Sequence, residues 1–217
     1  ALAIGGQYLT AEAPARDIRE ARIAAAVTDA AVAAIHRASD NLDMSVVMKI
    51  AERIAVSGSV LCLGSGGISS MMATELQNRL FRLGIPVLAQ VDGQLQRMYA
   101  AVATRDTTVI AFSVSGYARS VVEAILVARQ YGAETVAITA QESDLAKAAN
   151  TVIPFQADED GNLYKPTSSR FALMAILDMI ATATAEVHGP KVLESLRRIK
   201  HSLNTLKIDD PRLPLGD

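Results

Sequence analysis

Two stretches of the chain carry residue types suited to holding an anion: Gly64-Ser65-Gly66-Gly67-Ile68-Ser69-Ser70 and Ser113-Val114-Ser115-Gly116-Tyr117-Ala118-Arg119-Ser120. Glycine lets a backbone come close to a ligand, and serine hydroxyls add neutral donors at short reach. Each stretch follows an apolar run and leads into a helical repeat. The first amides of each helix therefore lack partners and lie at the positive end of its dipole. That combination binds phosphate without a metal. The chain has no G-x-x-x-x-G-K-[ST] sequence, so a lysine-centred nucleotide loop is excluded. A dinucleotide fingerprint fails as well, because Ser69 stands where G-x-G-x-x-G needs its third glycine. The expected ligand is a small phosphorylated molecule. Either loop alone reads equally well as turn and cap chemistry; two of them at equivalent places on one sheet point to a site.

Other reactive residue types offer less. Cys62 is the one cysteine, with no Cys or His nearby at metal-ligand spacing, and in mid-strand it reads as a small buried apolar residue. His36, His188 and His201 fall on separate helices, so no shared metal site is expected, and no cofactor is called for. Glu75 and Glu123 lie a helical turn or more past the loops, where solvated or paired carboxylates are expected rather than catalytic ones.

These loops need elements to position them. Ile23, Val27, Ala31 and Ile35 recur every four residues within an Ala-rich stretch over 15–39, which makes a helix with an apolar stripe in need of a partner surface. A second helix follows Asn41-Leu42-Asp43, with Val47, Ile50, Ile54 and Ala55, and stops at Ser57-Gly58. Strand-like runs then begin at Ser59, Pro86, Thr107, Glu134 and Thr151, separated by helical repeats such as Ile68, Met72, Leu76, Leu80 and Leu83. Alternation of this kind makes a parallel sheet covered on both faces. The fold class is α/β: a three-layer αβα sandwich on a five-stranded parallel, flavodoxin-like or Rossmann-like sheet. Ligands of such sheets bind at the carboxyl ends of the strands, where strand order reverses, and both serine loops flank that point. Asp158, Glu159, Asp160 and Gly161 mark a polar loop before helices resume after Ser168-Ser169. On the last helix Leu193, Leu196, Ile199, Leu203 and Leu206 form a narrow stripe, suited either to another subunit or to the chain's own sheet.

Composition narrows the class further. The 217 residues are 50% hydrophobic and 20% charged, an ordinary globular balance for one α/β domain. With 21 basic against 23 acidic residues, the net charge of −2 offers no overall field for a polyanion, which disfavours a free-standing nucleic-acid binder. The longest unbroken apolar run is short of a membrane span, and nothing near Ala1 resembles a signal peptide; a cytoplasmic protein with no membrane partner is expected.

Phe112-Ser113-Val114-Ser115-Gly116, between an apolar strand and a helix ending at Tyr131-Gly132-Ala133, resembles the phosphosugar-binding motif of the SIS (sugar isomerase) fold. Leu63-Gly64-Ser65-Gly66 fits the first half of that pattern, and the likeness runs from about Asp43 to Ala185. Within the superfamily, Thr167-Ser168-Ser169-Arg170-Phe171-Ala172 followed by an apolar helix containing Asp178 is most similar to the C-terminal effector domain of RpiR-type transcriptional regulators. The resemblance implies that Ser113 and Ser115 give hydroxyls to the phosphate, with amides from Val114, Gly116 and Tyr117. It implies further contacts from Gly64, Ser65, Gly66 and Gly67, and from Ser169. The family's hydroxyl residue three places after the second motif serine is Ala118 here, a departure for which Ser120 or Arg119 would have to compensate. Arg170 would favour an acidic sugar derivative, or else cap a loop by bonding its carbonyls.

Aldose–ketose isomerisation needs a base beside the substrate carbon. In the hexulose-phosphate isomerases that this fold includes, a carboxylate ends a Gly-Thr/Ser-Leu-Phe-Glu segment; the corresponding letters here are Ser168-Ser169-Arg170-Phe171-Ala172, and alanine is no base. The resemblance therefore implies a sensor with no catalytic residue, whose phosphorylated sugar effector biases subunit packing in a homodimer or tetramer. An isomerase with an unidentified base is the alternative, and a subunit with a degenerate site that serves only assembly is a third reading. Residues 1–14 would be a linker remnant, 15–208 the SIS domain with its N- and C-terminal helices, and 209–217 a tail. The chain opens on Ala1 without a Met, and DNA binding would belong to a helix-turn-helix domain absent from it.

Overall fold

Five runs rich in β-branched and apolar residues pair as one fully parallel sheet: β1 (Ser59–Gly64), β2 (Val87–Gln90), β3 (Thr107–Ser113), β4 (Glu134–Thr139) and β5 (Thr151–Pro154). The strand order is β2-β1-β3-β4-β5, the flavodoxin-like arrangement, and it reverses between β1 and β3. Eight helices accompany the sheet among the described residues, 16–157 and 168–204 of this computed structural model: α1 (Arg16–Asn41), α2 (Met44–Val56), α3 (Gly67–Arg82), α4 (Gly93–Ala101), α5 (Arg119–Gln130), α6 (Asp144–Ala148), α7 (Ser169–His188) and α8 (Lys191–Asn204). The expected linker at 1–14, the acidic loop at 158–161, Thr167, Leu206 and the tail at 209–217 lie outside the described residues.

Side chains alternate across each strand, so the sheet divides the core into two halves. Cys62, Ile110, Phe112, Val136 and Ile138 face α2, α3 and α7, meeting Ile54, Met72, Leu76, Leu80, Leu173 and Leu177. Leu61, Leu63, Val109, Ala111 and Ala137 face the other way, toward Val121, Ile125 and Leu145 of α5 and α6 and Ala100 of α4. Every residue of β3 is buried, as the central strand of a covered sheet must be. Full burial of one such Leu, Ile or Val is worth about 1.5–3 kcal/mol, so the two halves hold the strand ends rigidly in place.

Helix α7 is 20 residues long with a mean hydropathy of 1.4, enough by length and composition to cross a membrane, although the chain has no long unbroken apolar run. Here it is a core helix, burying Leu173, Ile176, Leu177 and Ile180 against α1, α2 and α3. The apolar stripe of α1 behaves differently from the expectation of a covered face. Ile23, Val27 and Ile35 stay exposed, and α1 packs on α7 through Ala34, with Ala38 partly buried beside it. On α8, Val192 is buried while Leu193 and Leu196 remain exposed, so the leucine stripe is only partly used within the chain.

Candidate functional site

The loops after β1 and β3 leave the sheet side by side, because Gly64 pairs in register with Phe112, one residue before Ser113. At Gly64 the start of α3 comes so near that a β-carbon would collide with the backbone carbonyl of Ser69. Only glycine allows helix and strand to approach so closely there. The chain then turns through Gly66 and Gly67, both exposed, with nothing within 4 Å of where a β-carbon would stand. That side of the turn is open space beside the first amides of α3. Ser65, just before the turn, is half-buried.

In the second loop Ser113 is 4% exposed, and its Oγ accepts the N–H of Gly116 at 3.1 Å. Ser115 is exposed, and its Oγ accepts the N–H of Tyr117 at 3.4 Å. Both hydroxyls act as acceptors toward their own loop, which leaves each O–H proton available to an anion. Gly116 has φ 75°, and its carbonyl accepts the N–H of Leu145 at 3.1 Å, so the turn rests on the β4–α6 connection. Val114 is partly buried against the α2/α3/α7 half of the core.

Capping sorts the helices that follow strands into two kinds. Asp92 caps α4 by accepting from Gln94 and Leu95, and Ser143 caps α6 by accepting from Ala146. The N-cap residues of α3, α5 and α7 (Gly66, Ala118 and Ser168) form no side-chain cap. Helix α7 begins at the same end of the sheet: Ser168 and Ser169 line a cavity of about 830 Å³ with Gln141 and Glu142 after β4 and Phe155 and Gln156 after β5. Ala172 and Arg37 also line it, and neither serine loop does. The two uncapped helix ends beside the serine loops, those of α3 and α5, each carry roughly +0.5 charge, about +1 together against the roughly −1.5 to −2 of a phosphate monoester.

Several residues singled out in the sequence are engaged elsewhere in the fold. Arg119 has 90% of its side chain exposed and pairs through Nε with Glu123 at 2.7 Å, while Arg97 of α4 reaches the same carboxylate at 2.6 Å. Ser120 sits against Gly93 at the start of α4. The Arg170 guanidinium lies 4.5 Å from the centre of the Phe171 ring. Glu75 is paired with Arg79 at 2.8 Å, so both carboxylates weighed as bases are held in ion pairs. Cys62 is fully buried, which pushes its thiol pKa far up, and no cluster of metal-ligating side chains occurs among the described residues. Thr139, Ser143 and Gln96 were not singled out in the sequence, yet all three are buried and support the loops. Thr139 and Ser143 carry only the signal of a polar residue near a strand end, which any turn shares, and Gln96 only that of a polar residue on a helix.

A family model of the SIS domain matches residues 53–183. The chain belongs to the SIS domain family. It is 31% identical over 202 residues to the HTH-type transcriptional regulator HexR of Pseudomonas aeruginosa, covering 93% of this chain and 70% of that protein. It is 28% identical over 191 residues to HexR of Escherichia coli, covering 88% of this chain and 66% of that protein. This SIS domain thus spans 66% and 70% of the lengths of the two regulators. The solved structure of the Vibrio vulnificus NanR protein complexed with ManNAc-6P shares the fold, with a TM-score of 0.79 at 21% identity over 86% of this chain and 70% of that one.

Proposed function

We propose that this SIS domain is the effector-sensing part of a HexR-type or RpiR-type transcriptional regulator of carbohydrate metabolism, and that its effector is a phosphorylated sugar held at the carboxyl ends of β1 and β3. The observation that carries the reading is the capping pattern: α3 and α5, which start at the point of strand reversal, have no side-chain cap, whereas α4 and α6 do. An anion at that point satisfies amides that the protein itself leaves without side-chain acceptors. Ser65 and Ser115 add hydroxyl donors; Ser113 holds the second loop in shape and adds a third. The sugar body extends toward Ser169 and the cavity beside α7.

The two regulators named HexR and the ManNAc-6P complex of NanR support a sensor over an isomerase. So does the first turn of α7, where Ser169-Arg170-Phe171-Ala172 contains no carboxylate. DNA binding falls to the part of the regulators' length that this chain does not match, and the work is cytoplasmic. The apolar residues exposed on α1 (Ile23, Val27, Val32 and Ile35) and on α8 (Leu193 and Leu196) support a homodimer or tetramer, whose packing the effector biases through different affinity for two states. Sedimentation over a range of concentrations tests that assembly.

The ligand is tested by thermal unfolding against a panel of sugar phosphates that includes ManNAc-6P, with the unphosphorylated sugars as controls. A true effector raises the midpoint in a concentration-dependent manner by mass action. Absence of a shift for every phosphorylated member would overturn the reading. Release of an isomerised product would restore the enzyme.

A further inference from the structure

Backbone pairing between β1 and β2 ends at Leu63–Gln90. One residue further on, Gly64 has no partner on β2, and this is the carbonyl from which the first serine loop departs. A side chain takes over there: Nε2 of Gln96, on the first turns of α4, donates to the Gly64 carbonyl at 2.9 Å and to the Gln90 carbonyl at 3.0 Å. The amide has one workable orientation, since a flip would set its oxygen against both carbonyls. Its starting point is fixed too, because Asp92 caps α4 and Gly93 lies against Ser120 of α5.

Gln96 is fully buried, and no donor among the described residues reaches its Oε1. That unmet oxygen is costly, and what the amide gives in return is a donor to the Gly64 and Gln90 carbonyls, which methionine or leucine would withdraw, leaving Gly64 with the longer 3.4 Å bond from Ser70 Oγ. The amide is therefore not explained by packing. Its effect is on the loop. A trans peptide is planar, with C=O and N–H pointing in opposite directions, so fixing the Gly64 carbonyl fixes the direction of the Ser65 N–H.

We infer that Gln96 is a positioning residue for the anion cradle: by gripping the Gly64 carbonyl it aims the Ser65 N–H, and with it the Gly66–Gly67 turn, at the phosphate. This rests on the proposed phosphate site, and acts on the first serine loop while leaving the second alone.

The test is a titration of the isotope-labelled chain with inorganic phosphate, following the amide resonances of Ser65, Gly66 and Gly67 against those of Gly116 and Tyr117, for the native protein and Gln96→Met. The variant is expected to need about tenfold more phosphate, the size of one misdirected charge-assisted donor. The response at Ser65 and Gly66 disappears and that at Gly116 and Tyr117 persists, while the unliganded thermal midpoint falls because two carbonyls lose a donor. Gln96→Glu supplies a second readout if Gln96→Met does not fold. Its carboxylate can donate to neither carbonyl, but its protonated form can donate to one, so the Ser65 response returns as the pH is lowered while the native protein shows no such recovery. A Gln96→Met titration identical to native, or equal loss at both loops, overturns the positioning role, as does a Gln96→Glu variant without pH rescue. No response to phosphate at either loop of the native protein overturns the proposed site itself, so the two failures are distinguishable.

Discussion

Gly116 faces Ser143 so closely that a β-carbon on the glycine would collide with the serine Oγ, and it would stand only 2.6 Å from Thr139 Oγ1. The second serine loop is thus seated directly on the end of β4 and the cap of α6. With φ at 75°, Gly116→Ala suffers both a left-handed backbone cost and a steric one. Together these amount to about 2–5 kcal/mol, a large share of the stability of a domain this size. Urea denaturation is expected to show that loss. Adding Ser143→Gly removes the collision with Ser143 but leaves the backbone strain and loses the α6 cap, so recovery is partial.

The serines separate into two kinds. Ser65→Ala and Ser115→Ala remove donors that the fold does not use in its core, so each is expected to weaken binding of a sugar phosphate about tenfold with little change in thermal midpoint. Ser113→Ala removes the acceptor of the buried Gly116 N–H as well, and should cost about 1 kcal/mol of stability in addition to affinity. Calorimetric titration alongside denaturant unfolding distinguishes the two patterns; equal behaviour of all three variants would contradict the separation.

Much of this was legible in the sequence because the signals were local. Short apolar and β-branched runs marked β1, β3 and β4, and the Gly-Ser clusters after β1 and β3 marked the loops. The choice between flavodoxin-like and Rossmann-like order depended on pairing, which no local pattern contains. Arg119 illustrates a different limit: its place on the first turn of α5 is visible in the chain, but its partner Glu123 is shared with Arg97 of α4, a contact made only by tertiary packing. Gln96 was invisible for the same reason. A glutamine on an amphipathic helix reads as surface until β1 and β2 are brought beneath it.

Cys62 provides a probe of the core. It lies in β1 facing the α2/α3/α7 half, and complete burial drives its thiol pKa well above the ordinary range. The neutral thiol is a poor nucleophile and has no access to solvent. An aromatic disulfide reagent at mildly alkaline pH is expected to react with native protein only as fast as the domain unfolds, and immediately in denaturant. Fast labelling of the native protein would mean that β1 opens locally, which a central strand should not do.

The ion pair at the mouth of α5 makes a prediction in pH. The Glu123 carboxyl is held below the usual 4.5, chiefly by the hydrogen bond from Arg119, which outweighs desolvation, the next-largest effect and an opposing one; the charges of Arg119 and Arg97 add to the lowering. A carboxyl whose pKa is lowered by folding stabilises the native state above its unfolded value and loses that contribution as the pH falls through the folded one. The stability of native protein and Glu123→Gln should therefore differ at neutral pH and converge as the pH falls through the lowered midpoint of the folded carboxyl. Carbon-detected titration of Glu123 reads the same coupling directly: Arg119→Ala raises its midpoint toward 4.5, and Arg97→Ala raises it less. Saturating sugar phosphate is the decisive addition. If the ends of α3 and α5 suffice for the dianion, Arg119 stays with Glu123 and the carboxyl midpoint does not move; a rise on binding would mean that Arg119 leaves its partner to join the ligand, and that the helix ends alone are insufficient.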